Sequence, residues 1–279
     1  MGVEQDPSRV DSISADELRR LIESRSEDDY LLIDVREPEE YEVGHLPGAR
    51  LLPVSDLEED APSLPPAAQT VLYCHTGVRS RRAANHIIRK LSRDGVYVLD
   101  GGLNAWRGHT LEDFPNVHVF DGAGALPDVI LRALDLEKGA HRLYEMLCEH
   151  FATSRLQPIL EELRQAEVAH GRVLFGALKK CSTKELPPFE ELFANLTGDI
   201  VENGAYLDEM LLVASEMEHD DEASLLELAL GVEYMAYDLY RSLSHRVEDA
   251  EQKRLFSGLA VQEKGHVRFV LKALAGLAS

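Results

Sequence analysis

The chain is short of cysteine, of positive charge and of long apolar runs, and each shortage closes off a class of protein. Cysteine occurs only three times in 279 residues, at Cys74, Cys148 and Cys181, widely spaced and odd in number. That is no disulfide framework, so a reducing cytosol is the expected home. Lysine and arginine total 29 against 50 aspartates and glutamates, giving a formal charge of −21. A surface of that sign repels nucleic acid and anionic lipid, and neither is expected as a partner. No uninterrupted apolar run approaches the ~18 residues that cross a bilayer, so no membrane span is expected. The stretch Met1 to Val10 is polar and lacks a signal-peptide core. Gly2 has the place of a myristoylation site, but Asp6 stands where Ser or Thr is required.

What remains is the composition of a soluble globular protein, 44% apolar and 28% charged. Its length is that of about two domains. The N-terminal half centres on Cys74-His75-Thr76-Gly77-Val78-Arg79-Ser80, which follows the apolar run Val71-Leu72-Tyr73 and precedes a helical pattern from Arg81 to Leu91. The reading is strand, tight loop, helix, with a cysteine at the strand's end. Loop amides and a helix N-terminus both offer N–H donors to an anion, and a cysteine among them has a lowered pKa and reacts as thiolate. Arg79, Arg81 and Arg82 add local positive charge. A buried structural cysteine closing a strand is the alternative.

Around this loop the chain alternates strands and helices. Ser14 with Glu17 forms a capping box that opens a helix to about Glu23. Tyr30-Leu31-Leu32-Ile33 reads as a buried strand delivering Asp34-Val35-Arg36-Glu37 to its end. Gly44-His45-Leu46-Pro47-Gly48-Ala49 is turn chemistry leading to a short strand at Arg50 to Pro53, and Ala61 to Pro66 is a Pro-rich connection. His45 is expected to shape its turn. Val96 to Leu99 forms another strand, closed by Asp100-Gly101-Gly102 and a small helix around Trp106. Such alternation predicts a parallel α/β sheet, with functional groups beyond the strands' carboxyl ends.

Those motifs carry a resemblance. Asp34-Val35-Arg36-Glu37, Gly44 to Ala49, Cys74-x-x-Gly77-x-Arg79-Ser80 and Asp100-Gly101-Gly102-x-x-x-Trp106 stand in the order found in rhodanese domains, over residues 12–108. The resemblance implies a sulfurtransferase in which Cys74 takes sulfane sulfur as a persulfide and passes it on. A small sulfur-containing donor and a thiol acceptor are the partners it implies. The loop from Cys74 to Arg79 has six residues, the length associated with sulfur-handling members, whereas phosphatases of this fold have one more. By resemblance Arg79 lines the loop and orients an anionic donor, and Asp34 and Arg36 brace it. Gly77 and Ser80 support the loop, and His75 either tunes the nucleophile or faces solvent. For Asp34 and Arg36 a purely structural role is the alternative.

From His109 to Ala125 the text turns irregular, with Pro115, Gly122 and Gly124, and reads as a flexible linker (residues 109–125). From Pro127 to Leu277 helical patterning dominates. Two segments read Glu-x-x-His: Glu167 with His170, and Glu263 with His266, 96 residues apart. Residues three apart share a helix face, so each pair aims a carboxylate and an imidazole at one point. Glu137 and Glu233 lie 30 residues before the two pairs. Each is followed by an alanine (Ala140, Ala236) and a tyrosine (Tyr144, Tyr240) at matching offsets, and Arg172 and Arg268 follow the two pairs. This is an internal repeat of a helix pair.

Antiparallel helices of ~15 residues to the turn bring positions about 30 apart to one level. Two such hairpins packed together make a four-helix bundle with four Glu and two His converging, the ligand set of ferritin-like di-iron carboxylate proteins. Two divalent ions would neutralise four carboxylates that are otherwise costly to bury. Tyr144 and Tyr240, two turns along, are suited to hydrogen-bond ligand carboxylates. Surface charges on amphipathic helices are the alternative. His141 is left out because its repeat partner is Tyr237, and His150, His219 and His245 are expected at the surface. Ser182 to Ala223 is the crossover, with a helix over about Tyr206 to Glu216.

Residues 126–277 resemble the rubrerythrin branch of ferritin-like proteins, which implies two iron ions per chain, other divalent metals being an alternative, and a homodimer. Rubrerythrins proper carry one more metal-binding Glu on the third helix, three positions from the bridging one; here those positions are Leu230 and Ala236. They also usually carry a four-cysteine rubredoxin centre that this chain cannot supply, so the electron donor is unassigned, an external donor being one candidate. Cys148 and Cys181 should lie ~30 Å apart by helix rise and are read as buried thiols. The fold expected is therefore a rhodanese-like α/β domain followed by an all-α ferritin-like four-helix bundle. The function expected is a persulfide-forming sulfurtransferase joined to a di-iron centre reducing peroxide or oxygen. A metal or redox sensor gating the sulfur site, and a ferroxidase or iron-storage role, are the alternatives.

Overall fold

The computed structural model describes residues 10–57, 64, 69–91, 94–115, 117–121, 125–202, 204–218, 221–247 and 249–277. The polar N-terminal stretch before Val10, most of the Pro-rich connection at 61–66, Gly122, Gly124 and His219 lie outside the described residues. The chain forms two compact units, Met1–Phe114 and Pro115–Ser279.

The first unit is built on five parallel strands: β1 (Asp11–Ile13), β2 (Tyr30–Asp34), β3 (Arg50–Leu51), β4 (Gln69–Tyr73) and β5 (Val96–Leu99), in the order β1-β5-β4-β2-β3. Its helices are α1 (Ala15–Ser24), α2 (Pro38–Val43) and α3 (Val78–Leu91). α1 starts at Ser14, whose hydroxyl accepts from the Glu17 amide while Glu17 accepts from the Ser14 amide. Side chains of β2 alternate between two cores, as a two-sided sheet requires. Leu31 and Ile33 join Ala83, Ala84 and Ile87 of α3 on one face; Tyr30 and Leu32 join Leu18, Leu21 and Tyr41 of α1 and α2 on the other. β5, β4 and β2 are the sheet's interior, and the carboxyl ends of β2 and β4 deliver Asp34 and Cys74 side by side, with Asp34 opposite Tyr73 in the ladder. Two elements went unanticipated. β1 is three residues long, too short for a period to show, and α2 is a six-residue helix marked only by Pro38 and two glutamates in its first turn.

Residues 109–125 are divided between the units. Leu111 and His45 exchange backbone hydrogen bonds of 2.9 and 2.8 Å, and the Phe114 ring stacks on Tyr41, which ties this end to the first unit. Val117–Phe120 forms a single 3₁₀ turn whose apolar side chains pack into the second. So the described part of this stretch is not free coil.

The second unit is mostly helical: α4 (Leu126–His150), α5 (Gln157–Cys181), α6 (Phe189–Asn195), α7 (Leu207–Ser215), α8 (Glu222–Arg246) and α9 (Ala250–Leu277). α4 pairs with α5, α8 pairs with α9, and α5 also meets α9. Each long helix passes through two apolar cores with a polar layer between them. One core holds Ile130 and Leu134 of α4, Leu174 of α5, Leu239 of α8 and Phe256 of α9. The other holds Leu147 of α4, Leu160 and Leu163 of α5, Leu226 of α8 and Val270 of α9. Between them on every long helix falls one of the repeated acidic positions. α7 occupies the helical stretch expected in the crossover; α6, seven residues long, was not foreseen. Among the described residues no helix is long and apolar enough to cross a membrane.

Candidate functional site

In the first unit Cys74 ends β4 and is 1% exposed. Its Sγ accepts from the Gly77 amide at 3.1 Å and lies 3.6 Å from Ser80 Oγ. Burial works against ionisation, but the Ser80 amide and hydroxyl and the amides of Thr76 and Gly77 outweigh it, holding the thiol below its ordinary pKa. The loop keeps its shape by contact with the Asp100-Gly101-Gly102 turn. Leu103 and Asn104 amides donate to the carbonyls of Cys74 and His75, at 2.8 and 3.1 Å. Gly102 has φ +61°, and a Cβ there would lie 2.3 Å from the Cys74 carbonyl oxygen. Only glycine lets the two loops approach so closely. Gly77, at φ +93°, makes the turn that brings its own amide onto sulfur.

His75 is exposed. Arg79 is half-buried, and its guanidinium forks onto Glu40 of α2 at 2.5 and 2.6 Å. Hydrogen bonds from Arg79 hold the Glu40 carboxyl down at about 2. Cys74 is also among the groups that favour charge on Arg79, so the cation is within electrostatic reach of sulfur. Asp34 and Arg36 form a buried pair, with Arg36 Nη2 2.6 Å from both Asp34 Oδ2 and the Gly44 carbonyl, and the guanidinium over the Tyr73 ring. Burial opposes charge on Arg36, but Asp34's hydrogen bonds and charge raise its pKa regardless. The pair fastens the end of β2 to the turn at Gly44. That turn is further held by Tyr73 Oη accepting from the Leu46 amide, and by His45, buried and stacked on Tyr41.

In the second unit the structure brings the six repeated residues together. Ligand-capable atoms of Glu137, Glu167, His170 and Glu263 lie within 4.8 Å of one another, as do those of Glu233, Glu263 and His266, and of Glu167, His170 and His266. Glu137, Glu167, His170, Glu233 and Glu263 are buried, and His266 is partly open. His170 Nδ1 stands 2.9 Å from Glu263 and 3.1 Å from Glu137; His266 Nδ1 stands 3.0 Å from Glu233 and 3.2 Å from Glu263. Burial disfavours imidazolium here, but hydrogen bonds with Glu233 and Glu263 push His266 up to about 11, and the charges of Glu263 and Glu137 raise His170. Desolvation raises Glu167 and Glu233. The two tyrosines cross over: Tyr144 of α4 donates to Glu233 of α8, and Tyr240 of α8 donates to Glu137 of α4. Each therefore serves the glutamate of the other repeat, a refinement that spacing alone did not reveal.

One buried carboxyl went unanticipated. Glu202, in the crossover, is 1% exposed with neither carboxylate oxygen hydrogen-bonded among the described residues. Nothing in the 96-residue repeat points to it. His141 instead meets the Arg164 carbonyl at 3.1 Å and the edge of Phe193. His150 is exposed and His245 half-buried. All three thiols are free; Cys148 is buried, whereas Cys181 is only half-buried, correcting the expectation for it.

Comparison with known proteins bears on the first unit. Residues 14–109 match the family described as Rhodanese-like domain. The chain is 44% identical over 77 residues to the uncharacterized protein YqhL of Bacillus subtilis (strain 168), covering 28% of this chain and 60% of that one. It is 43% identical over 77 residues to the probable adenylyltransferase/sulfurtransferase MoeZ of Mycobacterium tuberculosis (strain CDC 1551 / Oshkosh), covering 27% of this chain and 19% of that one. It is 27% identical over 89 residues to the thiosulfate sulfurtransferase GlpE of Pseudoalteromonas translucida (strain TAC 125), covering 32% of this chain and 84% of that one. The chain thus spans about three fifths of the first relative's length and a fifth of the second's. A rhodanese-like α/β domain therefore precedes a mostly helical region. No ferritin-like or rubrerythrin family matches the helical region.

Proposed function

We propose that the chain is a sulfurtransferase carrying sulfane sulfur on Cys74, joined to a helical unit that holds two iron ions for redox chemistry. The observation that carries the first part is the ring of donors on Cys74 Sγ, the Gly77 amide and Ser80 hydroxyl, at the carboxyl end of an interior strand. Relatives named as sulfurtransferases support it. The Cys74 thiolate attacks the outer sulfur of a thiosulfate-type donor; the donor's S–S bond breaks, and its electron pair leaves on sulfite. The new outer sulfur carries the negative charge, and the loop amides and Ser80 hydrogen-bond it as they do the thiolate. An acceptor thiolate then attacks that outer sulfur, and the pair returns to Cys74 Sγ. Arg79, free to re-aim from Glu40, binds the anionic part of the donor. Mass spectrometry after thiosulfate treatment tests this: the chain should gain one sulfur atom, lost again to cyanide, and Cys74→Ser should gain none. Transfer activity surviving in Cys74→Ser would falsify the reading.

The second part rests on the six-residue cluster. Four carboxylates and two imidazoles in overlapping groups are a donor set suited to divalent first-row metals, and two such ions would balance the four carboxylates. Glu137, Glu167, His170 and Glu263 would hold one ion, and Glu233, Glu263 and His266 the other, with Glu263 common to both. When bound, iron there supplies electron transfer to peroxide or oxygen. Tyr144 and Tyr240 orient Glu233 and Glu137 through their hydroxyls, and apolar cores flank the cluster above and below, with His266 partly open. The chain holds no four-cysteine centre, so electrons come from an external donor or from the thiol chemistry of the first unit. Metal analysis of protein purified without added iron, with an optical spectrum, tests this part. Steady turnover of peroxide or oxygen separates an enzyme from a sensor, and a small oligomer rather than a large cage separates it from an iron store.

A further inference from the structure

The crossover between the helical hairpins does more than connect them. The crossover segments 197–202 and 204–206 are pinned to α4: Thr197 Oγ1 and the Gly198 amide donate to Asp135, and Arg142 donates to the Thr197 and Gly198 carbonyls and to Asp199. Ile200 pairs with Tyr206, and the Val201 and Ala205 backbones are bonded at 3.0 Å. The turn presses so closely on α4 that a Cβ on Gly139 would lie 2.1 Å from the Ile200 carbonyl oxygen. Gly139 is two residues from Glu137 on the same helix. In this pinned segment Glu202 is buried with both oxygens unpartnered among the described residues.

A buried carboxylate without a hydrogen bond is among the most costly groups a fold can carry, and it persists where something else satisfies it. The carboxylates that bear most strongly on Glu202 are Glu137, Glu167 and Glu263. Those are the three glutamates of the first ligand group, the one completed by His170. None of those three offers it an opposite charge to pair with. A cation shared with them is the arrangement that satisfies all four.

We propose that Glu202 is a fifth carboxylate ligand of the metal centre, supplied by the crossover and serving the position held by Glu137, Glu167, His170 and Glu263. This rests on the reading of the cluster as a two-ion centre. Glu202 is not within the 4.8 Å groups, so ligation draws its side chain inward by rotation about its own single bonds. The repeat by itself makes a symmetric pair of positions; Glu202 has no repeat counterpart and makes them unequal.

The test is titration of the metal-free full-length chain with Co(II), read by its visible spectrum and by calorimetry, for wild type, Glu202→Gln, Glu202→Asp and Glu137→Gln. Wild type should take two equivalents. Glu202→Gln, nearly isosteric, should weaken one of the two by ~10-fold or more, leave the other within about twofold, and alter the visible bands; Glu202→Asp should recover part of the loss. Metal-free Glu202→Gln should melt close to wild type, because burial already holds this carboxyl in its neutral form, and gain less on adding Co(II). Two unchanged affinities and an unchanged spectrum in Glu202→Gln, with Glu137→Gln impaired, overturn the role of Glu202 alone. No binding in wild type overturns it together with the two-ion reading.

Discussion

The two units solve opposite problems of buried charge. Around Cys74 a single developing anion is met by backbone: the Gly77 amide, the Thr76 and Ser80 amides, and one hydroxyl. Those donors are fixed dipoles, so the loop's shape is the functional quantity, and glycines and neighbouring turns maintain it. In the helical unit several full charges come from side chains on rigid helices, and shape is guaranteed by the helix repeat. In the polypeptide alone, four carboxylates there are balanced only in part by two imidazoles held protonated. On the proposed reading the first site is complete as a protein, and the second is completed by metal. Substitutions should therefore act on geometry in one unit and on occupancy in the other.

The largest effect expected is at Cys74. Cys74→Ser should lose persulfide formation altogether, since no other thiol sits in an amide-lined loop, while metal content stays at the wild-type level. Next is Glu167→Ala with His170→Ala, which should remove at least one of two bound ions and leave sulfur loading of Cys74 intact, read by elemental analysis and mass spectrometry on the same sample. Cross-talk in either direction would break the contrast, and would favour coupled chemistry between the units.

The third tests shape. Gly102→Ala places a methyl group against the Cys74 carbonyl at a φ that side chains avoid. Strain of that kind costs ~1–3 kcal/mol, with steric displacement in addition, so denaturant midpoints should fall and sulfur transfer should drop by more than the loss of folded protein explains. A helix-borne change of similar size, Ala140→Gly, should lower stability of the second unit without changing metal affinity more than about twofold.

How much of this was legible follows the same division. Four ordered motifs announced the first site because each is tied to a backbone requirement: Gly102 to a close approach, Asp34 and Arg36 to a strand end, the Gly44–Ala49 turn to Tyr73 and Tyr41. The second site was legible from spacing, because a helix converts fixed offsets into a common level. Glu202 was not, because it sits on an irregular turn, and the position 96 residues earlier is Trp106, in the other unit. Likewise β1 and α2 are too short to carry a period. The crossing of Tyr144 and Tyr240 to opposite repeats depends on how the hairpins pack, which offsets within one hairpin do not encode.

The fourth expected effect is on pH dependence. Sulfur loading of Cys74 should rise with pH as the thiol loses its proton, with a midpoint below that of an ordinary thiol. Ser80→Ala removes one neutral donor to the thiolate, worth ~0.5–1.5 kcal/mol, so the midpoint should move upward by up to about one pH unit. Stopped-flow loading with thiosulfate across pH reads it directly. A midpoint unchanged in Ser80→Ala would mean that the amides alone carry the stabilisation.

The smallest effect concerns Arg79, where the two strategies meet: a side-chain cation beside a backbone-built site. Its fork is occupied by Glu40, and both groups are about one third exposed. An exposed pair of this kind contributes ~0–1 kcal/mol, little enough for an anionic donor to displace it. On the proposed role of Arg79, Glu40 competes with the donor for its guanidinium. Glu40→Gln should lower KM for thiosulfate by about two- to fivefold and leave kcat nearly unchanged, because the reacting sulfur and its amides are untouched. If Glu40 instead aims Arg79 at the loop, KM rises in Glu40→Gln. Arg79→Lys separates the cases further: the ammonium keeps the charge but loses the fork, so competition predicts a KM near that of wild type, and aiming predicts a KM as poor as that of Arg79→Ala.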